Sequence, residues 1–190
     1  PQPGNPPPRM FRIPQASAVI NRLGFNNLGV DQLIENIDRA DYQGILGINI
    51  GKNFDTPLEK AVDDYRLGLQ KVYRYASYVT VNISSPNTLH LRQLQATEAL
   101  DDLLEQLKTE QEKLTQIHGK YVPMVIKIAP DLDAEQIESI ATLLLAHQID
   151  GVIATNTTTA RPGIEHLPAA QEIGGLSGAP LTHRATAVIK

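Results

Sequence analysis

Val79-Thr80-Val81-Asn82-Ile83-Ser84-Ser85-Pro86-Asn87-Thr88 is the stretch of sequence that decides the fold of this chain. Its alternating, β-branched first half predicts a buried strand, which ends at Ser85-Pro86 because proline has no N–H for a sheet. The strand therefore delivers amide and hydroxyl groups to its carboxyl end. These groups could grip and deprotonate a small polar ligand, or they could only cap the next helix and tie the turn.

Three more strands and five helices are expected around this stretch. The strands fall at residues 44–51, 121–129 and 151–157. Helices are predicted at residues 30–40, 56–76 and 100–117, from Asp133 onward, and after Gly178 to the end of the sequence. The residues 56–59 match a capping box. The predicted apolar stripes of the helices include Leu33, Ala40, Ile117 and Leu145. Strands that alternate with helices favour a parallel sheet with right-handed crossovers.

Polar residues close each predicted strand, namely Asn49, Asn82, Lys127 and the pair Thr155 and Asn156. In parallel strands all of them reach one edge, the carboxyl face where (β/α) barrels hold their sites. The prediction is an α/β fold, a partial TIM (β/α)8 barrel with about four of its eight parallel strands. An open doubly wound sheet is the structural alternative. We expect the chain to be the middle of a longer protein, with strands missing on both sides.

Composition excludes several kinds of site. The chain has 190 residues, no cysteine and a net charge of −4, so it offers no thiolate ligand or nucleophile and gives no electrostatic reason to expect a nucleic-acid partner. The five histidines are scattered, and no metal site is predicted. No apolar run approaches the roughly 20 residues of a membrane span, and a soluble chain is expected.

Lys127 stands in an apolar strand, where an ammonium without a partner is costly to bury. It could be a fixed cation beside an anionic cofactor or substrate, or a Schiff-base lysine of an aldolase. It could also simply point outward. The cluster Gly174–Gly178 could bring backbone N–H groups to a phosphate at the start of the next helix, which together with the polar edge suggests a cofactor such as FMN. The run from Asn21 to Asn27 is interpreted as an ordinary loop, and residues 1–8 as extended polyproline-like chain.

The chain resembles the class 2, quinone-dependent dihydroorotate dehydrogenases over its whole length. The motifs that carry the resemblance are PQPGN at residues 1–5, NRLGFNN at 21–27, GINIGK at 47–52, NISSPNT at 82–88, KIAPDL at 127–132, DGVIATNTT at 150–158 and GGLSG at 174–178. The resemblance implies an FMN enzyme that oxidises dihydroorotate to orotate in pyrimidine biosynthesis and passes the electrons to a membrane quinone.

The resemblance also assigns roles to residues. Ser85 would be the base, with Thr88 and Phe25 in its proton relay, whereas class 1 relatives use a cysteine. The FMN contacts would be Asn49, Asn82, Lys127, Thr155 and Gly178, and Arg12 would lie on the quinone side. The substrate contacts would be Asn21, Arg22, Leu23, Gly24, Phe25, Asn82, Asn87, Asn156 and Thr157.

Two departures from the family matter. The family motif NTPGLR is replaced by Asn87-Thr88-Leu89-His90-Leu91-Arg92, which changes the expected lid over the substrate. We also expect the family's membrane-binding helices, first strands and last two strands to lie outside residues 1–190, which would be the central part of one FMN-binding barrel domain. The full-length protein would sit peripherally on the cytoplasmic face of the cell membrane. The alternatives are an inactive fragment, a scaffold domain that pairs its sheet edges with another chain, and the aldolase.

Overall fold

A four-stranded parallel sheet forms the centre of the computed structural model, which describes residues 1–190. Its strand order is β3-β4-β5-β6, and these strands span Gly47–Ile50, Tyr78–Asn82, Met124–Ile128 and Gly151–Ala154. Each of the four predicted parallel strands is confirmed, although each is shorter than expected. The register pairs Asn82 with Lys127, so the two polar strand ends meet directly.

Helices cover one face of the parallel sheet. They are α1 Val30–Ala40, α2 Ala61–Val72, α3 Thr97–His118 and α4 Ala134–Ala146, and α5 Thr182–Ile189 follows near the chain end. Of these, α2, α3 and α4 connect consecutive strands of the sheet. The start of α4 is fixed by a capping box between Asp133 and Gln136, and α3 ends at Gly119 in a left-handed conformation. The main core joins strand residues such as Val79, Val81 and Ile126 to helix residues such as Leu69 and Leu104.

The opposite face of the parallel sheet carries no helix and includes several polar residues. Because side chains alternate along a strand, the residues between the core positions point to this second face. Asn49, Asn82 and Lys127 are among them, since they alternate with the buried residues Ile48, Val81 and Ile126. In a closed barrel this face is the interior, which agrees with the predicted partial barrel.

A second, antiparallel sheet was not predicted. Its order is β1-β2-β7, with strands Met10–Ile13, Ala18–Asn21 and Gly175–Gly178, and it packs on a small core that includes Ile20, Ile164 and Leu176. The glycine segment expected to be a phosphate loop is therefore mainly a strand. Within it the Leu176 N–H donates to Thr158 O at 2.7 Å, and just after it the Ala179 N–H donates to Ser17 O at 3.1 Å.

Several local predictions are wrong. Thr56 caps no helix, because residues Leu58–Lys60 form a 3-10 turn before α2 and no side chain bonds to the first helical N–H groups. Leu33, Ala40, Ile117 and Leu145 are exposed rather than buried. The outer faces of their helices have no element packed on them, and helical periodicity alone cannot tell which apolar residues find a partner.

Candidate active site

Asn82 is the centre of a polar network at the carboxyl edge of the parallel sheet. It ends β4, it is 4% exposed, and its Oδ1 accepts hydrogen bonds from Ser84 N at 3.2 Å and Ser84 Oγ at 3.1 Å. Asn156, which follows β6, donates from Nδ2 to Asn82 Oδ1 at 3.3 Å and to Ser84 Oγ at 3.1 Å. Thr157 in turn donates its N–H to Asn156 Oδ1 at 2.8 Å. The structure thus brings together three of the substrate contacts expected from the sequence.

Ser85 and Asn87 form a second cluster beside this network. Ser85 is buried, and its Oγ accepts a hydrogen bond from Asn87 N at 3.3 Å. The Asn87 amide donates to Asn21 O at 3.1 Å and to Asn21 Oδ1 at 3.4 Å, across 66 residues of sequence. Thr88 is buried next to them in the chain. Asn21 therefore lies beside the proposed site residues rather than in an ordinary loop, because it ends β2 and meets the turn that carries Ser85.

The rest of the 21–25 segment is only partly directed to this edge. The Phe25 ring lies against Gly51, where an added Cβ would be 3.5 Å from the ring and 3.9 Å from Asn82 O. Arg22 turns away from the amides, since its guanidinium bonds Glu172 Oε2 at 2.7 Å and Ile173 O at 3.1 Å and stacks over Phe11. Leu23 and Gly24 lie against the N-terminal segment, where Leu23 O accepts a hydrogen bond from Asn5 N at 3.1 Å.

Arg92 and Asp131 join the segments that follow β4, β5 and β6, a feature that sequence reasoning missed. Arg92 donates from Nη1 to Asp131 Oδ2 at 2.6 Å, from Nε to Ser84 O at 3.0 Å and from Nη2 to Thr157 O at 2.8 Å. Burial raises the pKa of Asp131, but hydrogen bonds from the Thr158 hydroxyl, Arg92 and the Thr159 N–H outweigh it and lower that pKa below its usual value. The carboxylate therefore stays ionised beside the guanidinium.

Tyr65 and Lys52 lie beneath the site and were also missed. The Tyr65 hydroxyl, on the buried face of α2, donates to Asn82 O at 2.8 Å. Lys52 is 2% exposed and donates from Nζ to Asn53 O at 2.7 Å and Thr56 O at 2.6 Å, while burial lowers its pKa against the opposing effect of Asp64. The position of Tyr65 one helical turn after Ala61 could have indicated from the sequence that its side chain is buried. The spacing of apolar residues does not show which group a buried hydroxyl contacts.

The residues expected to contact FMN are divided between two regions. Asn49, Asn82 and Lys127 share the helix-free face of the sheet, and Thr155 follows β6 with its hydroxyl bonded to Asn156 O at 2.9 Å. Gly178 lies in β7, at the end of the second sheet. Arg12 is exposed in β1 of the same sheet, opposite Val19.

Lys127 decides whether these residues fit the cofactor. It is half-buried next to the buried Asn82 amide, and none of the five ion pairs includes it. A cation without a carboxylate partner beside amide donors suits the electron-rich edge of a flavin ring. The residues present therefore fit the ring, whereas the expected phosphate loop at Gly174–Gly178 is a strand.

The expected lid segment contains a residue in a left-handed backbone conformation. His90 adopts a φ of 58°, a left-handed conformation that favours glycine, at the position where the family motif has glycine. Leu91 beside it is fully buried, while Leu89 is exposed.

No group of three or more histidine, aspartate or glutamate side chains is arranged to hold a metal ion. None of the helices combines the length and apolar character that crossing a bilayer requires.

Comparison with known proteins gives a consistent result. The family model for dihydroorotate dehydrogenase matches residues 1–190. The chain is 68% identical over 190 residues to a Nitrosomonas eutropha protein named dihydroorotate dehydrogenase (quinone), covering 100% of this chain and 56% of the relative. It is 61% identical over 189 residues to a Paraburkholderia phymatum protein of the same name, covering 100% of this chain and 55% of that protein.

Solved structures show the same relationship. The crystal structure of ligand-free DHODH from Eimeria tenella matches with a TM-score of 0.91 and 39% identity, covering 100% of this chain and 57% of that chain. The structure of that enzyme with ferulenol matches with a TM-score of 0.91 and 38% identity, covering 100% and 56%. This chain therefore spans about half the length of the proteins it matches. Since the family model covers every residue and the fold agrees, the chain belongs to the dihydroorotate dehydrogenase family.

Proposed function

We propose that the protein containing this chain is an FMN-dependent dihydroorotate dehydrogenase that uses a quinone as its electron acceptor, in pyrimidine biosynthesis. Family membership supports the reaction, and the names of the relatives support the acceptor. The observation that carries the proposal is the position of Ser85. It lies at the carboxyl edge of a parallel sheet, between the Asn21–Asn87 pair and the Asn82–Asn156 network. Amide groups of this kind can orient a planar ring that carries carboxylate, carbonyl and N–H groups.

Ser85 is proposed to take the C5 proton of dihydroorotate. A serine hydroxyl is a poor base alone, so the proton must pass onward. The Asn87 N–H that bonds Ser85 Oγ would stabilise negative charge as it develops on that oxygen. Thr88 is the nearby hydroxyl proposed for the relay. Phe25 has no group that can carry a proton, so its proposed part is to exclude bulk water from the relay beside Gly51.

The substrate is proposed to lie between Asn21, Asn82, Asn87, Asn156 and Thr157. When FMN is bound, it supplies the acceptor for the hydride that leaves C6. Lys127 would hold a positive charge against the ring edge, with Asn49, Asn82 and Thr155 as neutral hydrogen-bonding partners. The second sheet would contribute Gly178, and Arg12 is proposed for the quinone side.

The residues 1–190 are proposed to be the central part of one barrel domain. The two outer strands of the parallel sheet, β3 and β6, each pair on one side only. Unpaired strand edges are filled in a closed barrel, which supports the presence of further strands in the full-length protein. Peripheral contact with a membrane, where the quinone is dissolved, is part of the same proposal and would involve segments outside these residues.

The test is the visible spectrum of the full-length protein before and after anaerobic addition of dihydroorotate. A flavin band that bleaches is the expected result. Ser85→Ala should keep the flavin and slow its reduction by orders of magnitude, while Ser77→Ala should leave the rate unchanged. Ser77 is a suitable control because it lies near the amino end of the same strand, where its Oγ accepts a hydrogen bond from Leu46 N at 2.9 Å.

Two results would refute the proposal. Unchanged flavin reduction in Ser85→Ala would remove Ser85 from the mechanism. A flavin that dihydroorotate does not bleach, in a full-length protein that binds FMN, would contradict the reaction itself. Borohydride trapping addresses the aldolase alternative, because only a Schiff base on Lys127 would give a stable adduct with substrate.

A further inference from the structure

Arg92 makes hydrogen bonds to three segments that surround the site. Its Nε bonds Ser84 O, the carbonyl directly before the proposed base Ser85. Its Nη2 bonds Thr157 O, on the segment that carries Asn156. Its Nη1 bonds Asp131 Oδ2, after β5. One side chain therefore connects the segment of the base with the segment of two proposed substrate contacts.

The three bonds require the shape of arginine. A guanidinium holds its N–H donors in a rigid plane, so three acceptors in different directions fix its position. A lysine ammonium is a point charge on a flexible stem and cannot reproduce the same fork. Asp131 is itself held by the Thr158 hydroxyl and by the Thr159 N–H at 3.1 Å, so the carboxylate that anchors Arg92 is not free to move.

The side chains of the pair are partly shielded from solvent, at 24% exposed for Arg92 and 26% for Asp131. Water competes less for partly buried charge-assisted hydrogen bonds, and such bonds are stronger than neutral ones. Arg92 also lies only four residues after Thr88, in the segment that would cover the substrate. The pair therefore ties the lid segment to the end of β6.

We infer that Arg92 is a positioning residue for proton removal: it fixes the separation between Ser85 and the substrate contacts Asn156 and Thr157, and Asp131 holds its guanidinium in place. The inference rests on the proposed function. Arg92 need not touch the substrate, because it acts through two backbone carbonyls. Displacing a base by about 1 Å can reduce a rate by about 10²-fold.

The experiment separates the two half-reactions of the full-length holoenzyme. In Arg92→Lys, the rate constant for flavin reduction by dihydroorotate should fall about 10- to 100-fold. Reoxidation of the flavin by quinone should stay within about twofold, because that step needs no base at Ser85. A purely structural role for Arg92 would instead slow both half-reactions or lower the flavin content of the protein.

The matched control is Arg66→Lys. Arg66 also bonds a carboxylate on another element, Glu110 Oε2 at 3.2 Å, but it does so between α2 and α3 on the far side of the sheet. This variant should change neither half-reaction. If Arg92→Lys does not retain flavin, Asp131→Asn decides, because it leaves the Arg92 side chain unchanged and replaces the carboxylate that anchors it with a neutral amide that has one acceptor oxygen fewer. It should slow reduction about 3- to 10-fold, again without slowing reoxidation.

Two results would overturn the inference and leave the proposed function intact. One is a normal rate of flavin reduction in Arg92→Lys. The other is an equal slowing of both half-reactions in whichever variant, Arg92→Lys or Asp131→Asn, retains flavin. An unsubstituted holoenzyme that dihydroorotate does not reduce would instead contradict the proposed function. The contacts themselves can then be tested in the full-length protein. Amide hydrogen exchange at Thr159, whose N–H bonds Asp131, should become faster in Asp131→Ala, and unchanged exchange would show that the carboxylate does not hold this segment.

Discussion

Replacing Tyr65 with phenylalanine removes one oxygen atom beneath the site. The Tyr65 ring is fully buried, and its hydroxyl donates to Asn82 O at 2.8 Å, at the point where β4 passes into the turn of Ser85. In Tyr65→Phe the ring still fills its space, so no large cavity forms. The Asn82 carbonyl loses a hydrogen-bond donor in a region that water does not reach.

The expected loss of stability follows from that carbonyl. A buried polar group left without its partner costs about 1–3 kcal/mol. In a chain of this size each kcal/mol lowers Tm by about 2–4 °C. Tyr65→Phe should therefore lower the Tm of the 190-residue chain by several degrees, and denaturant unfolding should show a lower midpoint with an unchanged slope.

The alkaline pH dependence gives a second measure of the same side chain. Burial raises the pKa of the Tyr65 hydroxyl above its usual value of about 10. Above pH 10 the native state therefore binds more protons than the unfolded state, so its stability falls as pH rises. Tyr65→Phe should weaken this alkaline loss. It should not abolish it, because burial and a hydrogen bond with Asp150 also raise the pKa of Tyr121, to about 12.

The assay compares Tyr65→Phe with Tyr73→Phe. Tyr73 is also fully buried, and its hydroxyl bonds Thr115 Oγ1 at 2.7 Å and accepts from Val122 N at 3.2 Å, away from the site. Both variants should lose similar stability, but only Tyr65→Phe should weaken orotate binding or slow flavin reduction in the full-length protein. A Tm unchanged in Tyr65→Phe would refute the hydrogen bond to Asn82. Equal effects of both variants on the site would refute its role in positioning.

Two further predictions concern the contacts around the site. In Gly175→Ala the new Cβ would overlap Thr157 Oγ1 and approach Pro86 Cγ to 3.1 Å, so overpacking should lower the free energy of unfolding by about 1–3 kcal/mol. In the control Gly151→Ala the Cβ meets only Val125 Cγ1 at 3.3 Å, so the loss should be smaller. Thermal unfolding of both variants measures the difference. Asp131 has a pKa below its usual value of about 3.9, so its stabilisation is present above pH 4 and is lost as pH falls through the lower native value. Asp131→Asn should lower the free energy of unfolding by about 1–2 kcal/mol at pH 7. This loss, relative to the unsubstituted chain, should become smaller below pH 4. A loss of stability that does not change with pH would contradict the role of the Asp131 charge.

The parallel sheet could be predicted from the sequence because its cause is local. The features that predict it lie close together in the sequence. They are alternating β-branched residues, a proline that ends the strand, and amide side chains at strand ends. This is why β4, the order of strands and helices, and the edge that gathers Asn82, Lys127 and Asn156 were recognised. The family motifs named the reaction, which periodicity could not do.

The second sheet could not be predicted in the same way. Strands β1 and β2 lie close in sequence, but β7 joins them from more than 150 residues away, and its Gly-Leu-Ser-Gly sequence has little β-propensity of its own. Tertiary pairing made it a strand, and within this segment the Leu176 N–H donates to Thr158 O.

The sequence by itself determined the α/β class, the edge of the sheet where the polar groups meet and the identity of most proposed site residues. Only the tertiary structure decided how those residues are held. Tyr65 reaches Asn82 from a helix, and Arg92 reaches Thr157 across 65 residues. The physical reason is that a hydrogen bond depends on distance and direction in space, and those quantities are fixed only after distant segments of the chain pack together.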